Sequence, residues 1–92
     1  MLEREIEKRV SAAFEARGWF QFKIMQASKR GIPDRCFIRQ GRVIFIEFKS
    51  SKGVLSANQT LRIADLRKHG ATVHRINSVD HGLRIAAEYD IL

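Results

Sequence analysis

The chain has 92 residues, with 17 Lys and Arg against 10 Asp and Glu, a formal net charge of +7 and a pI near 10.3. That length supports one domain with a modest core, a single cysteine excludes an internal disulfide, and no Cys/His cluster has zinc-site spacing. The apolar runs are too short to span a bilayer and the N-terminus has no signal-peptide core, so the expectation is a soluble, cytoplasmic protein with no membrane partner, whose dispersed positive charge favours nucleic acid over a merely solubilising role.

From Leu2 to Arg17, apolar Leu2, Ile6, Val10, Ala13 and Phe14 recur at three- and four-residue intervals and Gly18 supplies a stop, which predicts an amphipathic helix. "WFQFKIM", Trp19 to Met25, is aromatic and β-branched and reads as a strand. Its Trp19, Phe20 and Phe22, with Phe45 further on, are expected to face a core, not to stack on bases. "ASKRGIPD" follows as a loop, broken by Gly31 and Pro33.

"RCFIRQ" and "RVIFIEFKS" are two strands separated by little more than Gln40-Gly41, a hairpin signal. Cys36, inside "CFI", reads as a small core residue and not as a nucleophile. After the loop "SSKGVL" a helix begins, with Ser56 as N-cap and Gln59 at capping-box spacing, and it closes on Arg67, Lys68 and Gly70. "TVHRI" is a further strand and "SVDHGLRIAAEYDIL" a last helix behind an N-cap serine. The order is α-β-β-β-α-β-α, one domain over residues 1–92. His69, His74 and His81 fall at a helix end, in a strand and at a helix start, without the partners a catalytic histidine needs.

Side chains alternate along a strand, so Glu47 and Lys49 project from one face, shared with Val43 and Phe45. A surface salt bridge at a strand end would account for the pair alone. Asp34 adds a second carboxylate: it lies six residues before Gln40-Gly41 and Glu47 six after, so a tight hairpin brings them to the same end. Like charges that close repel unless a cation lies between them. Oxygen ligands of this kind suit Mg²⁺ or Mn²⁺, and in a basic protein the matching substrate is a phosphodiester.

The set "PD…ExK" in this order of elements resembles the PD-(D/E)XK nuclease superfamily. Within it, "IEK…RGW", "GIPDR", "IEFK", the "NQ" of the second long helix and "HGATVHRI" are similar to small stand-alone virus-type replication-repair nuclease (VRR-NUC) domains of phages and bacteria. The resemblance implies an α/β fold with a restriction-endonuclease-like αβββαβ core, its mixed sheet flanked by helices, plus a C-terminal helix. It implies a metal-dependent, structure-selective DNA endonuclease that acts as a homodimer, with four-way (Holliday) junctions as the expected substrate. A flap or fork nuclease, or a noncatalytic nucleic-acid-binding module of the same fold, is the alternative.

By the same resemblance Asp34 and Glu47 are metal ligands, joined by the backbone carbonyl of Phe48, and Lys49 is the catalytic lysine. Glu7 matches a first-helix glutamate that touches the metal through water, and Gln59 a glutamine bordering the site. Periodicity does not select Glu7, since Glu3 lies nearer the centre of the apolar stripe. Gln59 reads equally well as the reciprocal residue of the Ser56 capping box. Lys23, Lys29, Arg30, Arg35 and Lys52 are candidate contacts to DNA backbone phosphates. The apolar C-terminal "AAEYDIL" is the expected dimer contact.

Overall fold

A computed structural model describes residues 1–92. The elements run α1 (Glu3–Ala16), β1 (Phe20–Lys23), β2 (Arg35–Arg39), β3 (Arg42–Phe48), α2 (Ala57–Lys68), β4 (Thr72–Ile76) and α3 (Val79–Tyr89). The order expected from the sequence holds. β1 is shorter than expected: pairing with β2 ends at Lys23↔Arg35, and Met25 lies exposed in the following loop.

The four strands form one sheet in the order β1-β2-β3-β4. The first three are antiparallel, whereas β3 and β4 run parallel, Ile44↔Thr72 to Phe48↔Ile76. A parallel pair requires a crossover, and α2 supplies it. Gln40 and Gly41 both have positive φ, 50° and 80°. Such a two-residue turn suits the right-handed twist of a hairpin and fixes its register, with Arg39 opposite Arg42 and Arg35 opposite Ile46.

Alternation along β3 sends Ile44, Ile46 and Phe48 to one face, where all three are fully buried with Ile6, Val10 and Phe14 of α1, Phe37, Ile76, and Ala86 and Tyr89 of α3. α1 and α3 cross closely there. A Cβ on Gly82 would clash with the Val10 side chain, so glycine sets the approach. The other face carries Phe45 and Glu47 and is covered only in part, by α2 through buried Ile63. Beyond the reach of α2, Phe20 and Phe22 are 67% and 43% exposed. The expectation that they lie in the core is thereby corrected: they occupy the uncovered side of the sheet, and of the aromatics from Trp19 to Phe22 only Trp19, just before β1 and packed edge-on against Phe14 and Tyr89, is buried. Cys36 is buried and its thiol is held above its ordinary pKa by that burial.

Candidate active site

The hairpin register continues one step beyond Arg35↔Ile46 to bring Asp34 beside Glu47. Two features hold Asp34 in place. Its Oδ2 accepts a hydrogen bond from the Phe48 backbone N–H at 3.0 Å, and the preceding loop is pressed onto the first turn of α2. Gly31 has φ +85°, and a Cβ there would run into the Asn58 carbonyl. Only glycine allows that approach, and the Arg62 guanidinium secures the loop further by donating to the Arg30 carbonyl at 2.9 Å.

Glu47 is 1% exposed. Its Oε2 accepts from Gln59 Nε2 at 3.1 Å and lies 3.9 Å from Lys49 Nζ, while its Oε1 is buried with no hydrogen-bond partner. A bare carboxylate in this position would be costly, and the side chain responds by holding its proton: its pKa is pushed up from 4.5 to about 8. Burial is the largest cause, followed by the charge of Asp34. Lys49 acts in the opposite direction, a hydrogen bond shared with Asp34 favours the protonated form, and Glu3 adds a further negative charge.

Gln59 satisfies both of its sequence readings at once. Its Oε1 accepts from the Ser56 N–H at 2.9 Å while Ser56 Oγ accepts from the Gln59 N–H at 3.1 Å, a complete capping box. The Nε2 end remains free for Glu47. Only one orientation of the amide serves both, because the Ser56 N–H needs the amide oxygen as its acceptor.

Glu7, expected to reach the metal through water, sits in an ion-pair cluster. It is buried, and its Oε2 lies 2.6 Å from Arg35 Nε and 3.7 Å from Lys23 Nζ. Two cations compete for that carboxylate, which makes no hydrogen bond to Asp34 or Glu47. The first-helix glutamate whose charge reaches Glu47 is the exposed Glu3. The Ser51 N–H donates to the Met1 carbonyl, which seats the start of α1 over the exit of β3. No periodicity in the sequence could reveal that contact.

Of the expected DNA contacts, Lys29, Arg30 and Lys52 are exposed and Lys23 is half-exposed. Arg35 is largely buried in its bonds to Glu7 and Gln21. No three His, Cys, Asp or Glu side chains gather as a ligand set. The close group is therefore two carboxylates, a lysine and a glutamine amide.

A family model described as the VRR-NUC domain matches residues 3–80. The chain belongs to the VRR-NUC domain family. A solved structure described as a VRR-NUC domain is 25% identical, with a TM-score of 0.84 over 95% of this chain and 96% of that one. A search of curated proteins finds no match. The chain is thus a nuclease domain of the PD-(D/E)XK type, a class that generally uses divalent metal ions and takes DNA as substrate. As in the VRR-NUC structure, the mixed sheet is flanked by helices. No helix is long and apolar enough to cross a membrane.

Proposed function

We propose that residues 1–92 act as one nuclease domain, a Mg²⁺- or Mn²⁺-dependent endodeoxyribonuclease that cuts branched DNA in the cytoplasm. The observation that carries the reading is the pairing of Asp34 with the buried carboxyl of Glu47, whose Oε1 meets no donor. Two acidic oxygens forced together in a basic chain are strained without a cation and satisfied with one. The donor set is all oxygen, as a hard divalent ion requires, and Asp34, Glu47 and the Phe48 carbonyl would hold it. When bound, the ion activates the attacking water and neutralises charge developing on the phosphorus.

The chain's own groups do the rest. Gln59 keeps the Glu47 carboxylate turned toward Asp34 and Lys49. Lys49, 17% exposed beside Glu47, presents its ammonium to the phosphate and holds the attacking water or stabilises the crowded phosphorus. Glu3 completes the acidic border in the place first expected for Glu7. Lys23, Lys29, Arg30, Arg35 and Lys52 position the duplex through phosphates and carry no base specificity.

The preferred substrate on this reading is a four-way junction resolved by a homodimer. One chain carries one Asp34/Glu47/Lys49 group, and two copies related by a two-fold axis present two sites to a substrate that is itself roughly two-fold. The dimer contact first expected at the C-terminus is supported less well, since Ala86 and Tyr89 are buried in the chain's own core. The uncovered sheet face carries exposed Phe20, Phe22 and Val43, while the C-terminal stretch keeps Ile91 and Leu92 exposed. The test is cleavage of linear, nicked, flap, fork and four-way-junction DNA with Mg²⁺ and with Mn²⁺. Faster cutting of the junction is expected, equal cutting of linear duplex overturns the junction preference, and no cutting of any DNA overturns the nuclease reading.

A further inference from the structure

Between α1 and β1, on the sheet face opposite α2, lies an open bowl of about 380 Å³ lined by Arg4, Glu7, Lys8, Ser11, Glu15, Gln21, Lys23 and Arg35, with Ala12 its only apolar lining residue. Four cations there face two carboxylates, and both carboxylates are already engaged. Glu7 holds Arg35 and Lys23, and Glu15 accepts from the Gln21 amide, whose oxygen in turn accepts from Arg35 Nη1 at 2.7 Å. These bonds order Arg35 and leave its Nη2 group unused. Arg4 and Lys8 are exposed and have no ion-pair partner. At the floor, the buried Ser11 hydroxyl has no hydrogen-bond partner.

We infer that this bowl is a phosphate subsite that grips the nucleic-acid strand, with Arg4, Lys8 and Lys23 as its movable cations and Arg35 as its fixed one. The chemistry is that of a phosphate oxyanion. A planar guanidinium already oriented by a carboxylate and an amide loses little freedom on meeting one, and the surrounding lysines act as point charges. Arg35 directly follows Asp34 and by strand alternation points to the other face of the sheet, so the bowl and the acidic pair lie on opposite sides of the start of β2. Glu7 here is a positioning residue for cations. The inference rests on the nucleic-acid reading above and narrows it to one strand path.

The test measures binding of metal-free wild type, Arg4→Gln/Lys8→Gln and the control Arg84→Gln to an internally labelled duplex, with its 5′ ends either phosphorylated or dephosphorylated, across a salt series. All three changed side chains are exposed and outside the core. The double variant is expected to lose roughly tenfold in affinity and to show a slope of log affinity against log salt shallower by about one, with the control close to wild type. Equal loss on both duplexes identifies the ligand as an internal phosphodiester. Loss only on the phosphorylated one identifies a terminal phosphate. Binding by the double variant equal to that of Arg84→Gln, in a protein that still cuts DNA with Mg²⁺ or Mn²⁺, overturns the subsite and leaves the nuclease standing. A wild type that cuts no DNA but loses affinity in the double variant overturns the nuclease and leaves the subsite.

Discussion

Gln59 Nε2 donates to Glu47 Oε2 at 3.1 Å while the other end of the same amide closes the capping box on Ser56. The N-terminus of α2 and the buried carboxylate of β3 are therefore joined by one side chain. The two roles separate by mutation. Ser56→Ala removes a cap acceptor and is expected to cost about 1 kcal/mol of stability while leaving cleavage near wild type. Gln59→Ala removes the cap's second half and also leaves a buried oxygen without its donor, for a loss of about 2–4 kcal/mol and a large fall in cleavage. Denaturant unfolding and single-turnover cutting of both variants check this. Equal activity in the two would refute the contribution of Gln59 to the site.

A divalent ion should stabilise the wild-type chain by relieving the Asp34/Glu47 pair. A ligand that binds only the folded state at a hundred times its Kd contributes about 2.7 kcal/mol, which a melting curve with and without Mn²⁺ resolves. Asp34→Asn and Glu47→Gln should each erase that gain and abolish cutting, and each should raise the stability of the metal-free chain, since one of two crowded carboxylates is gone. Lys49→Ala should abolish cutting yet retain the metal-induced gain. An undiminished Mn²⁺ effect in Glu47→Gln would rule out this ligand assignment.

Stability of the metal-free chain should fall with rising pH. Glu47 ionises near 4.5 in the unfolded chain and near 8 in the folded one, so between those values the folded state holds the extra proton. Its contribution is then fully present below about 4.5 and lost as pH climbs to about 8. Glu47→Gln, neutral throughout, should flatten the decline in urea unfolding measured across that range. The same slope in wild type and variant would show that Glu47 is not the group responsible. Where a divalent ion is present, proton release accompanies binding and apparent metal affinity rises with pH.

The sequence made much of this site legible because it is built from local rules. Turn length at Gln40-Gly41 set the hairpin register, register set the meeting of Asp34 with Glu47, and the spacing from Ser56 to Gln59 announced a capping box. What it left open depends on packing between distant segments. The amide of Gln59 can satisfy two partners only because α2 crosses above β3. Phe20 and Phe22 have strand-core composition, but α2 leaves their side of the sheet uncovered, a matter of where a crossover helix lies and not of its own pattern. The pairing of Glu7 with Arg35 and Lys23 is likewise a contact between distant segments that no periodicity announces.

Glu3 and Glu7 should differ in kind. Glu7→Gln leaves the partly buried Arg35 guanidinium without its charged acceptor and should cost about 1–3 kcal/mol, with no change in the Mn²⁺ concentration giving half-maximal cutting. Glu3 is exposed, so Glu3→Gln should alter stability by no more than about 0.5 kcal/mol but raise that Mn²⁺ concentration. Metal titrations of cleavage with both variants decide the matter. A raised requirement in Glu7→Gln alone would return Glu7 to the metal site.

The last prediction concerns two copies acting together. On a supercoiled plasmid with an extruded cruciform, a two-fold dimer seated on the junction cuts opposed strands within one encounter, so linear product appears without an accumulating nicked circle. A monomer nicks once, supercoiling is lost, the cruciform is reabsorbed and nicked circle builds up. The contact expected for the dimer is the uncovered sheet face, where Phe20, Phe22 and Val43 are 67%, 43% and 44% exposed. Apolar surface gathered in this way marks an association site, and because it lies on the α2 side of the sheet, its burial leaves the basic bowl beside α1 open to DNA. Phe20→Glu/Phe22→Glu changes only exposed side chains and should give a folded chain with the monomer mass of 10.6 kDa in light scattering, and nicked circle in place of linear product. Ile91→Asp, in the C-terminal stretch, should leave both readouts unchanged. Wild type at the monomer mass that nevertheless gives linear product directly would refute the dimer, and loss of the dimer in Ile91→Asp alone would move the contact to the C-terminus.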